Sequence, residues 1–550
     1  MNLINYTKRY FESKILIFLF LAIYLLFGIF IFKDYGISFD ENINRLNGFV
    51  SLKHVFEKFG VNIDLNLFIN NLPNLSDYVD KAYGVAFDLP IAALEVMLNL
   101  SDSKEVYLFK HFVNFLVFFS SSICFYFLLN YLFKDNIISL IGLLFLILSP
   151  RIFAESFYNP KDIILLSSFI FATFFNIKFL REKSNRYIVL GSFFSAFTTD
   201  IRVIGIYLPA LTLFFLFFNG DNSSIKIKLI KSFKYLISFS IFFILFWPWL
   251  WDGDIYKLLI SFKEFKNYPW EGDVLYFGNF LKAQLLPWHY FFVWFFITTP
   301  IIFFLIIILG LFRSFSIFIK NLINIEKINH NNLWKNKNEM ILIFILFIFL
   351  IPIVSVVIFN STLYNGWRQL YFLYPSLIIL GLYFLNYLKN LKNKNFFKIF
   401  TILFAIQILF NVFYIFKYHP HQHVYFNLLS KNFVQNNFPI DYWGLSNQKT
   451  LEHVLNKDKF DYPLKISSAS FTDLNKTKLI IDKNLRKKLV FIEDNHDKAD
   501  LIFTNYYYFV RPIFNKKRYN IPDHFKSYYK FKVDGITINE IFINTKKLNN

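Results

Sequence analysis

The sequence predicts a polytopic α-helical membrane protein that ends in a small soluble domain. Hydrophobic residues make up 55% of the 550 residues, 78 residues are phenylalanine, and the mean hydropathy is +0.41. A soluble domain does not bury so much apolar surface. Apolar runs long enough to cross a bilayer recur as far as residue 416 and shorten to strand length beyond it. We therefore divide the chain into a transmembrane domain, 1–416, and a soluble domain, 417–550.

The excess of basic residues, a formal net charge of +20, lies mostly in the polar gaps between the apolar runs. Basic loops favour the cytoplasmic side of a membrane and contact anionic lipids. We therefore predict membrane lipids as partners of these loops, and no nucleic acid. The single cysteine, Cys124, lies within an apolar run, which excludes a disulfide framework and a thiol-based metal site.

The first apolar run, 15–32, is long enough to span a bilayer. Lys8, Arg9 and Lys14 precede it, so we expect the N-terminus in the cytoplasm. The run is longer than that of a cleaved signal peptide, and no small-residue cleavage site follows it. We therefore expect it to remain as a membrane anchor.

The later runs bring the count to about eleven spans. The block 187–218 is too long for one helix, and its polar segment 198–202 predicts two helices that meet at the outer face. With this count every short Lys-rich loop is cytoplasmic, and the C-terminal domain is extracytoplasmic to an inner (plasma) membrane. Two long outer loops follow, 33–105 and 252–290. In the first, the apolar segment 89–100 is too short to span and predicts an interfacial or re-entrant helix.

Charged residues gather at the predicted outer ends of these helices. They are Asp40, Glu41, Arg151, Lys161, Asp162, Arg202 and Arg368. Asp40 follows the first span, where a carboxylate can take a proton from a hydroxyl while a lipid-borne substrate lies alongside. A base for a hydroxyl, together with cations for a departing phosphate, is what sugar transfer from a lipid-linked donor requires.

Arginine suits phosphate because its planar fork gives bidentate hydrogen bonds. The pattern therefore predicts four ligands of the donor phosphate, Arg151, Lys161, Arg202 and Arg368. Two simpler interpretations stay open at this point. Charged residues collect at helix ends in any membrane protein, and Asp200 can neutralise Arg202 without a ligand.

The chain beyond residue 417 has the pattern of a small α/β or α+β domain of about 130 residues, an ordinary domain size. The short apolar runs 488–493 and 500–505 predict strands. The alternation over 528–543, interrupted by Asp534 and Gly535, predicts a hairpin with a two-residue turn.

A histidine cluster, His419-Pro-His-Gln-His423, stands at the start of this domain. In an extended segment its spacing puts three imidazoles on one face, as a metal site needs. No carboxylate partner is evident in the sequence, so we assign no metal ligand. We predict no definite cofactor and leave a divalent metal open.

Five segments carry a resemblance to a known family. They read SFDE, SPRIFAESFYNPKD, NGWRQLY, HPHQHVYFN and DYWGLS, at residues 38–41, 149–162, 365–371, 419–427 and 441–446. With the predicted architecture they resemble the GT-C type membrane glycosyltransferases. Within these they are similar to the bacterial branch of glycosyltransferase family 39, relatives of the dolichyl-phosphate-mannose:protein mannosyltransferases.

The resemblance implies an inverting transfer of a sugar from a polyprenyl-phosphate carrier to an acceptor hydroxyl of a protein, lipid or glycan. The first-loop acid of the family corresponds to Asp40, beside Glu41, and the second-loop acid to Asp162. These three are therefore the predicted catalytic residues. The chain departs from the branch at His421, where tyrosine is expected, and at Glu155, where histidine is expected, which leaves the role of Glu155 open.

Two other classes of function compete with an enzyme. One is a transporter or flippase for a lipid-linked or anionic solute, and the other is a non-catalytic envelope protein that binds a partner. Transporters often contain internal repeats and helices broken near the midplane. Here the charges lie at one face beside two long outer loops, which favours chemistry at the membrane surface.

Overall fold

The computed structural model describes residues 3–61, 71–218, 223–266, 270, 272–324, 333–456, 462–492, 495–508 and 519–546. Parts of the predicted outer loops 33–105 and 252–290 lie outside the described residues. So do parts of the predicted soluble domain 417–550, including the last residue of the predicted strand 488–493.

Within these ranges, eight helices are long and apolar enough to cross a membrane. They are Ile17–Asp34, Ser103–Phe133, Asp162–Glu182, Ile225–Phe246, Ile301–Ile323, Lys337–Ile358, Arg368–Lys389 and Asn395–Tyr418. A ninth span results if the helices Asn136–Ile147 and Pro150–Tyr158, which meet at 63°, count as one. The predicted polytopic helical architecture is confirmed.

The block 187–218 consists of two helices, Asn185–Ile201 and Val203–Phe217, and the chain breaks between them at Arg202. The predicted division of this block is therefore confirmed. Both helices are shorter than a full span, and the predicted count of about eleven includes both. Length and composition alone give eight or nine spans in the described part of the chain, so the span number stays a prediction.

Shorter helices connect and cover the spans. The first long loop contains the helices Glu41–Phe59 and Asp88–Met97. The second contains the helix Ile255–Lys266 and the strands β1 (Asp273–Tyr276) and β2 (Asn279–Lys282). The helix Tyr290–Thr298 begins at the end of the second loop. The helix Asp88–Met97 is the short helix predicted for 89–100. It lies so close to Glu41–Phe59 that a Cβ at Gly48 would be 2.4 Å from the Asp88 carbonyl oxygen.

The short Lys-rich loops meet at one end of the helical bundle, which we call the basic end. There Lys389 pairs with Asp135, and Arg181 donates a hydrogen bond of 2.9 Å to Asn338. The helix Ser103–Phe133 runs from this end to the opposite one. The opposite end, which we call the site end, contains the first long loop and contacts the C-terminal domain.

The C-terminal domain is built on a five-stranded sheet with the strand order β4-β3-β5-β7-β6. The strands are β3 (Leu464–Ser468), β4 (Leu489–Phe491), β5 (Leu501–Thr504), β6 (Phe525–Val533) and β7 (Ile536–Asn544). β3 pairs in parallel with β4 and β5, whereas β7 is antiparallel to β5 and β6. The turn between β6 and β7 is formed by Asp534 and Gly535 with φ of 51° and 86°, which confirms the predicted hairpin.

Four short helices lie in the chain beyond the last span, Lys431–Val434, Ser446–Leu455, Leu474–Lys478 and Lys483–Arg486. The domain is fixed to the site end by ion pairs. Lys104 contacts Asp482 at 2.6 Å, and Arg486 contacts Asp102 at 2.7 Å, so the segment 479–486 lies against the start of the helix Ser103–Phe133.

Candidate functional site

Asp40 stands directly before the helix Glu41–Phe59, at the site end. Its Oδ2 accepts a hydrogen bond of 2.8 Å from Nη1 of Arg368, and 28% of its side chain is exposed. Among the described residues no hydrogen bond reaches its other oxygen, Oδ1. One carboxylate oxygen of Asp40 is therefore bound to Arg368, and the other has no hydrogen bond in the described part of the chain. A general base needs such an oxygen to accept a proton.

Arg368 connects Asp40 to a second acid. The same Nη1 donates a hydrogen bond of 2.9 Å to Oδ2 of Asp162. The guanidinium lies 4.5 Å from the ring centre of Trp443 and 5.0 Å from that of Tyr364, and only 2% of the residue is exposed. Arg368 begins a 3₁₀ helix, Arg368–Leu373, that leads directly into the α-helix Tyr374–Lys389.

Asp162 is fully buried and has both oxygens occupied. Its Oδ1 accepts from Nη2 of Arg202 at 2.5 Å, and its Oδ2 accepts from Asn159 at 3.1 Å as well as from Arg368. It begins the helix Asp162–Glu182, whose N-terminal dipole favours a negative charge. Two acids and two arginines thus alternate as Asp40–Arg368–Asp162–Arg202, which we call the ionic quartet.

Asp200 does not neutralise Arg202, so that interpretation is wrong. Its Oδ1 accepts a hydrogen bond of 2.6 Å from the backbone N–H of Ala86 in the first long loop. The loop approaches so closely that a Cβ at Gly84 would lie 1.9 Å from the Asp200 carbonyl oxygen. Asp200 therefore attaches the loop to the end of the helix Asn185–Ile201 and leaves Arg202 to Asp162.

Glu41 differs from its neighbour Asp40 in being fully buried. Its Oε1 accepts from the backbone N–H of Ser38 at 2.6 Å, and its Oε2 lies 2.9 Å from Nε2 of His111. Lys110 donates to the Glu41 carbonyl oxygen at 3.1 Å. Both oxygens are engaged in holding the Ser38–Glu41 turn, so the structure favours a positioning role for Glu41 over the predicted catalytic one.

We expect Glu41→Gln to keep the sugar transfer that the resemblance implies within about tenfold of wild type, since loss of a general base costs about 10²–10⁴-fold. The thermal midpoint in detergent should fall, because hydrogen bonds to a buried charged group contribute about 1.5–3 kcal/mol. Initial rates and thermal unfolding of the same preparation measure both effects. A loss of about 10²-fold or more at an unchanged midpoint would return Glu41 to the catalytic residues.

Lys161 and Arg151 lie beside the ionic quartet and form no ion pair with it within 4 Å. Lys161 Nζ is 3.5 Å from the Gly84 carbonyl oxygen and 5.0 Å from the ring centre of Tyr83. Arg151 donates from Nε to the Tyr425 carbonyl oxygen at 2.9 Å. Only 7% and 4% of these two residues is exposed, so neither is open to a ligand in this conformation.

Glu155 joins the quartet through an asparagine that the sequence interpretation missed. Asn159 Nδ2 donates both to Glu155 at 2.8 Å and to Asp162 at 3.1 Å. The other Glu155 oxygen accepts from the Tyr371 hydroxyl at 2.8 Å. Asn159 lies three residues before Asp162, and its Oδ1 accepts from the Asp162 backbone N–H at 2.9 Å, an Asx turn whose Asn-Pro signal is visible in the sequence.

The three histidines of the 419–423 cluster share no partner within the described ranges, so the structure does not realise the extended face that their spacing allows. His419 lies 2.9 Å from Asp34, and His423 lies 2.9 Å from Asp441. His421 is buried and has no hydrogen-bond partner among the described residues. The segment turns into a short 3₁₀ helix, Gln422–Val424, which rotates successive side chains apart.

Burial, reinforced by His423, lowers the pKa of His421 to about 3, so its imidazole is neutral. Burial alone raises the pKa of Asp441, but the hydrogen bonds from His423 and Ser446 outweigh it and bring the pKa below its usual value. Among the described residues no three or more histidine, cysteine or acidic side chains meet as a metal site would require. We therefore assign no residue to a divalent metal.

Residues 92–251 match the family model described as dolichyl-phosphate-mannose-protein mannosyltransferase. This range contains Arg151, Lys161, Asp162 and Arg202, and it lies between Asp40 and Arg368 in the chain. The resemblance predicted from the sequence is confirmed over this range. Comparison with curated proteins gives no match.

A solved structure that this chain is similar to is the crystal structure of ArnT from Cupriavidus metallidurans bound to undecaprenyl phosphate. The identity is 11% and the TM-score 0.40, and the alignment covers 96% of this chain and 97% of the other.

Proposed function

We propose that this protein is an inverting glycosyltransferase of the membrane. It transfers a sugar from a polyprenyl-phosphate carrier, with undecaprenyl phosphate as the expected carrier, to an acceptor hydroxyl on a protein, lipid or glycan. The observation that carries the proposal is Asp40, a partly exposed carboxylate held by Arg368 at the edge of a buried ionic network. The family match over residues 92–251 supports it.

Asp40 is the proposed general base. Its open oxygen takes the proton of the acceptor hydroxyl as that oxygen attacks the anomeric carbon of the sugar. The bond from this carbon to the phosphate oxygen breaks, and the bonding electrons leave with the polyprenyl phosphate. Attack on the face opposite the phosphate inverts the configuration at this carbon.

Arg368 and Arg202 are the proposed cations of the leaving phosphate. Asp162 holds both guanidiniums, at 2.9 and 2.5 Å, so they are oriented before the donor arrives. Preorganised donors of this kind stabilise charge that develops in the transition state without reorganising. We assign Asp162 as a positioning residue, because its two oxygens have no room for a substrate proton. Lys161 and Arg151 stay candidates that need a local rearrangement to reach a phosphate.

The proposed reaction takes place on the extracytoplasmic side of the inner (plasma) membrane. The basic end contains the short Lys-rich loops, which favour the cytoplasm. We expect a reporter fused to the C-terminus to read as extracytoplasmic, and a reporter inserted into the loop before Asn185, at the basic end, to read as cytoplasmic. The same signal from both positions would show that a span has been miscounted.

The direct test uses purified full-length protein with a labelled polyprenyl-phosphate sugar and cell-envelope fractions as the source of acceptor. Label should move from the lipid to a new product, and Asp40→Asn should transfer it at least about 10²-fold more slowly. Movement of intact labelled lipid across vesicles, without transfer, would instead support the transporter or flippase.

A further inference from the structure

Lys476 brings a cation from the C-terminal domain to the residue next to Asp40. It belongs to the helix Leu474–Lys478, and its Nζ donates a hydrogen bond of 3.2 Å to the Phe39 carbonyl oxygen. The same ammonium lies 3.9 Å from the ring centre of Phe39, which also contacts Phe471 at a ring distance of 5.3 Å. The soluble domain therefore covers the Phe39–Asp40 peptide with a positive charge.

The charges already assigned to the site cancel each other. Asp40 and Asp162 contribute two negative charges, and Arg202 and Arg368 contribute two positive ones, all linked by ion pairs of 2.5 to 2.9 Å. A phosphate that binds Arg368 and Arg202 therefore adds negative charge to a neutral quartet, and a further cation that is not paired with a carboxylate balances this added charge.

Lys476 meets this requirement. Among the described residues no carboxylate lies within 4 Å of its Nζ, and the only hydrogen bond it makes is to a backbone carbonyl oxygen. In the described part of the chain Lys161 and Arg151 also have no ion pair, but they are buried. Lys476 is only partly buried, as Asp40 is, and its ammonium contacts the residue directly before Asp40.

The position of Lys476 is fixed from both sides. Asp473 accepts a hydrogen bond of 2.8 Å from the backbone N–H of Asn475 at the start of the helix. Just beyond the helix, the Ser103 hydroxyl donates to the Leu479 carbonyl oxygen at 2.8 Å. Burial lowers the pKa of the Lys476 ammonium, and the charges of Asp473 and Asp40 offset only part of this. An anion that binds next to the ammonium raises its pKa again, because an opposite charge stabilises the protonated form.

We propose that Lys476 is a ligand of the donor phosphate, supplied to the site by the C-terminal domain. The inference rests on the proposed function and extends it, since it makes the soluble domain part of the donor site. The ammonium keeps its bond to Phe39 and gives its other N–H groups to the phosphate oxygens next to Asp40.

The test measures binding of undecaprenyl phosphate to full-length protein in nanodiscs, with undecaprenol, which lacks the phosphate, as the matched lipid. Lys476→Met should weaken binding of undecaprenyl phosphate by about 10–100-fold, the effect of one hydrogen bond to a charged group. Lys476→Arg should bind within about threefold of wild type, because it keeps the charge and donors for phosphate. Undecaprenol should bind equally to all variants.

Lys478→Met is the matched control, since Lys478 lies in the same helix with its Nζ 5.5 Å from the ring centre of Phe491. It should bind undecaprenyl phosphate as wild type does. Equal binding by Lys476→Met and wild type, in a protein that transfers sugar, would overturn this inference and leave the proposed function intact. A wild type that does not prefer undecaprenyl phosphate over undecaprenol would overturn both. Lys476-dependent binding of inorganic phosphate without binding of the lipid would overturn the assignment to the donor.

Discussion

Asp40→Asn is expected to lower the rate of sugar transfer by about 10²–10⁴-fold, the usual cost of losing a general base. Asparagine has nearly the same shape, and its side-chain oxygen can still accept the 2.8 Å hydrogen bond from Arg368. It cannot take the proton of the acceptor. The defect should therefore appear in kcat, with little change in donor binding or in the thermal midpoint. Initial-rate transfer from a labelled polyprenyl-phosphate sugar measures it.

Asp77→Asn is the matched control for this variant. Asp77 is an exposed aspartate of the same long loop, and its carboxylate accepts only a 3.3 Å hydrogen bond from Ser76 in the described structure. It should transfer sugar at the wild-type rate. Activity of Asp40→Asn within about twofold of wild type would contradict the assignment, given the expected loss of at least about 10²-fold, and Glu41 would then be the acid to test.

Arg368→Lys is expected to lower kcat by about 10²–10³-fold, the effect of removing one preorganised donor to a developing negative charge. Lysine keeps the charge but loses the planar fork and the contacts with Trp443 and Tyr364. The donor should still bind, because the ground state has less charge on the leaving oxygen than the transition state. Donor binding and turnover are measured on the same preparation.

Arg313→Lys provides the control for a lost arginine–aromatic contact. Arg313 belongs to the helix Ile301–Ile323, outside the ionic quartet, and its guanidinium lies 3.3 Å from the ring centre of Tyr387. It should leave turnover unchanged. Wild-type turnover in Arg368→Lys would return Arg368 to a structural role and leave Arg202, Lys161, Arg151 and Lys476 as phosphate candidates.

The sequence by itself predicted the polytopic helical class of the protein and the residues of the candidate site. Apolar runs and Lys-rich gaps predicted the helical architecture, because each span must bury its backbone polar groups in one continuous helix. The alternation around Asp534 and Gly535 predicted a hairpin, because that turn requires two residues with positive φ. Motif resemblance named Asp40 and Asp162, and the charge pattern at the helix ends named Arg368. The structure brings these three residues within one network of hydrogen bonds.

Only the tertiary structure decided which charges pair. Asp200 stands two residues from Arg202, yet the guanidinium of Arg202 binds Asp162. The helix ends after Ile201, so Arg202 has an extended backbone and Asp200 a helical one. Asp40 and Glu41 are adjacent, but one is partly exposed and the other is sealed against His111. The contact of Lys476 with Phe39 joins residues 437 positions apart. Helices and turns depend on local sequence, and local patterns therefore predict them. The pairing of charges depends on how distant segments pack, and no local pattern contains that information.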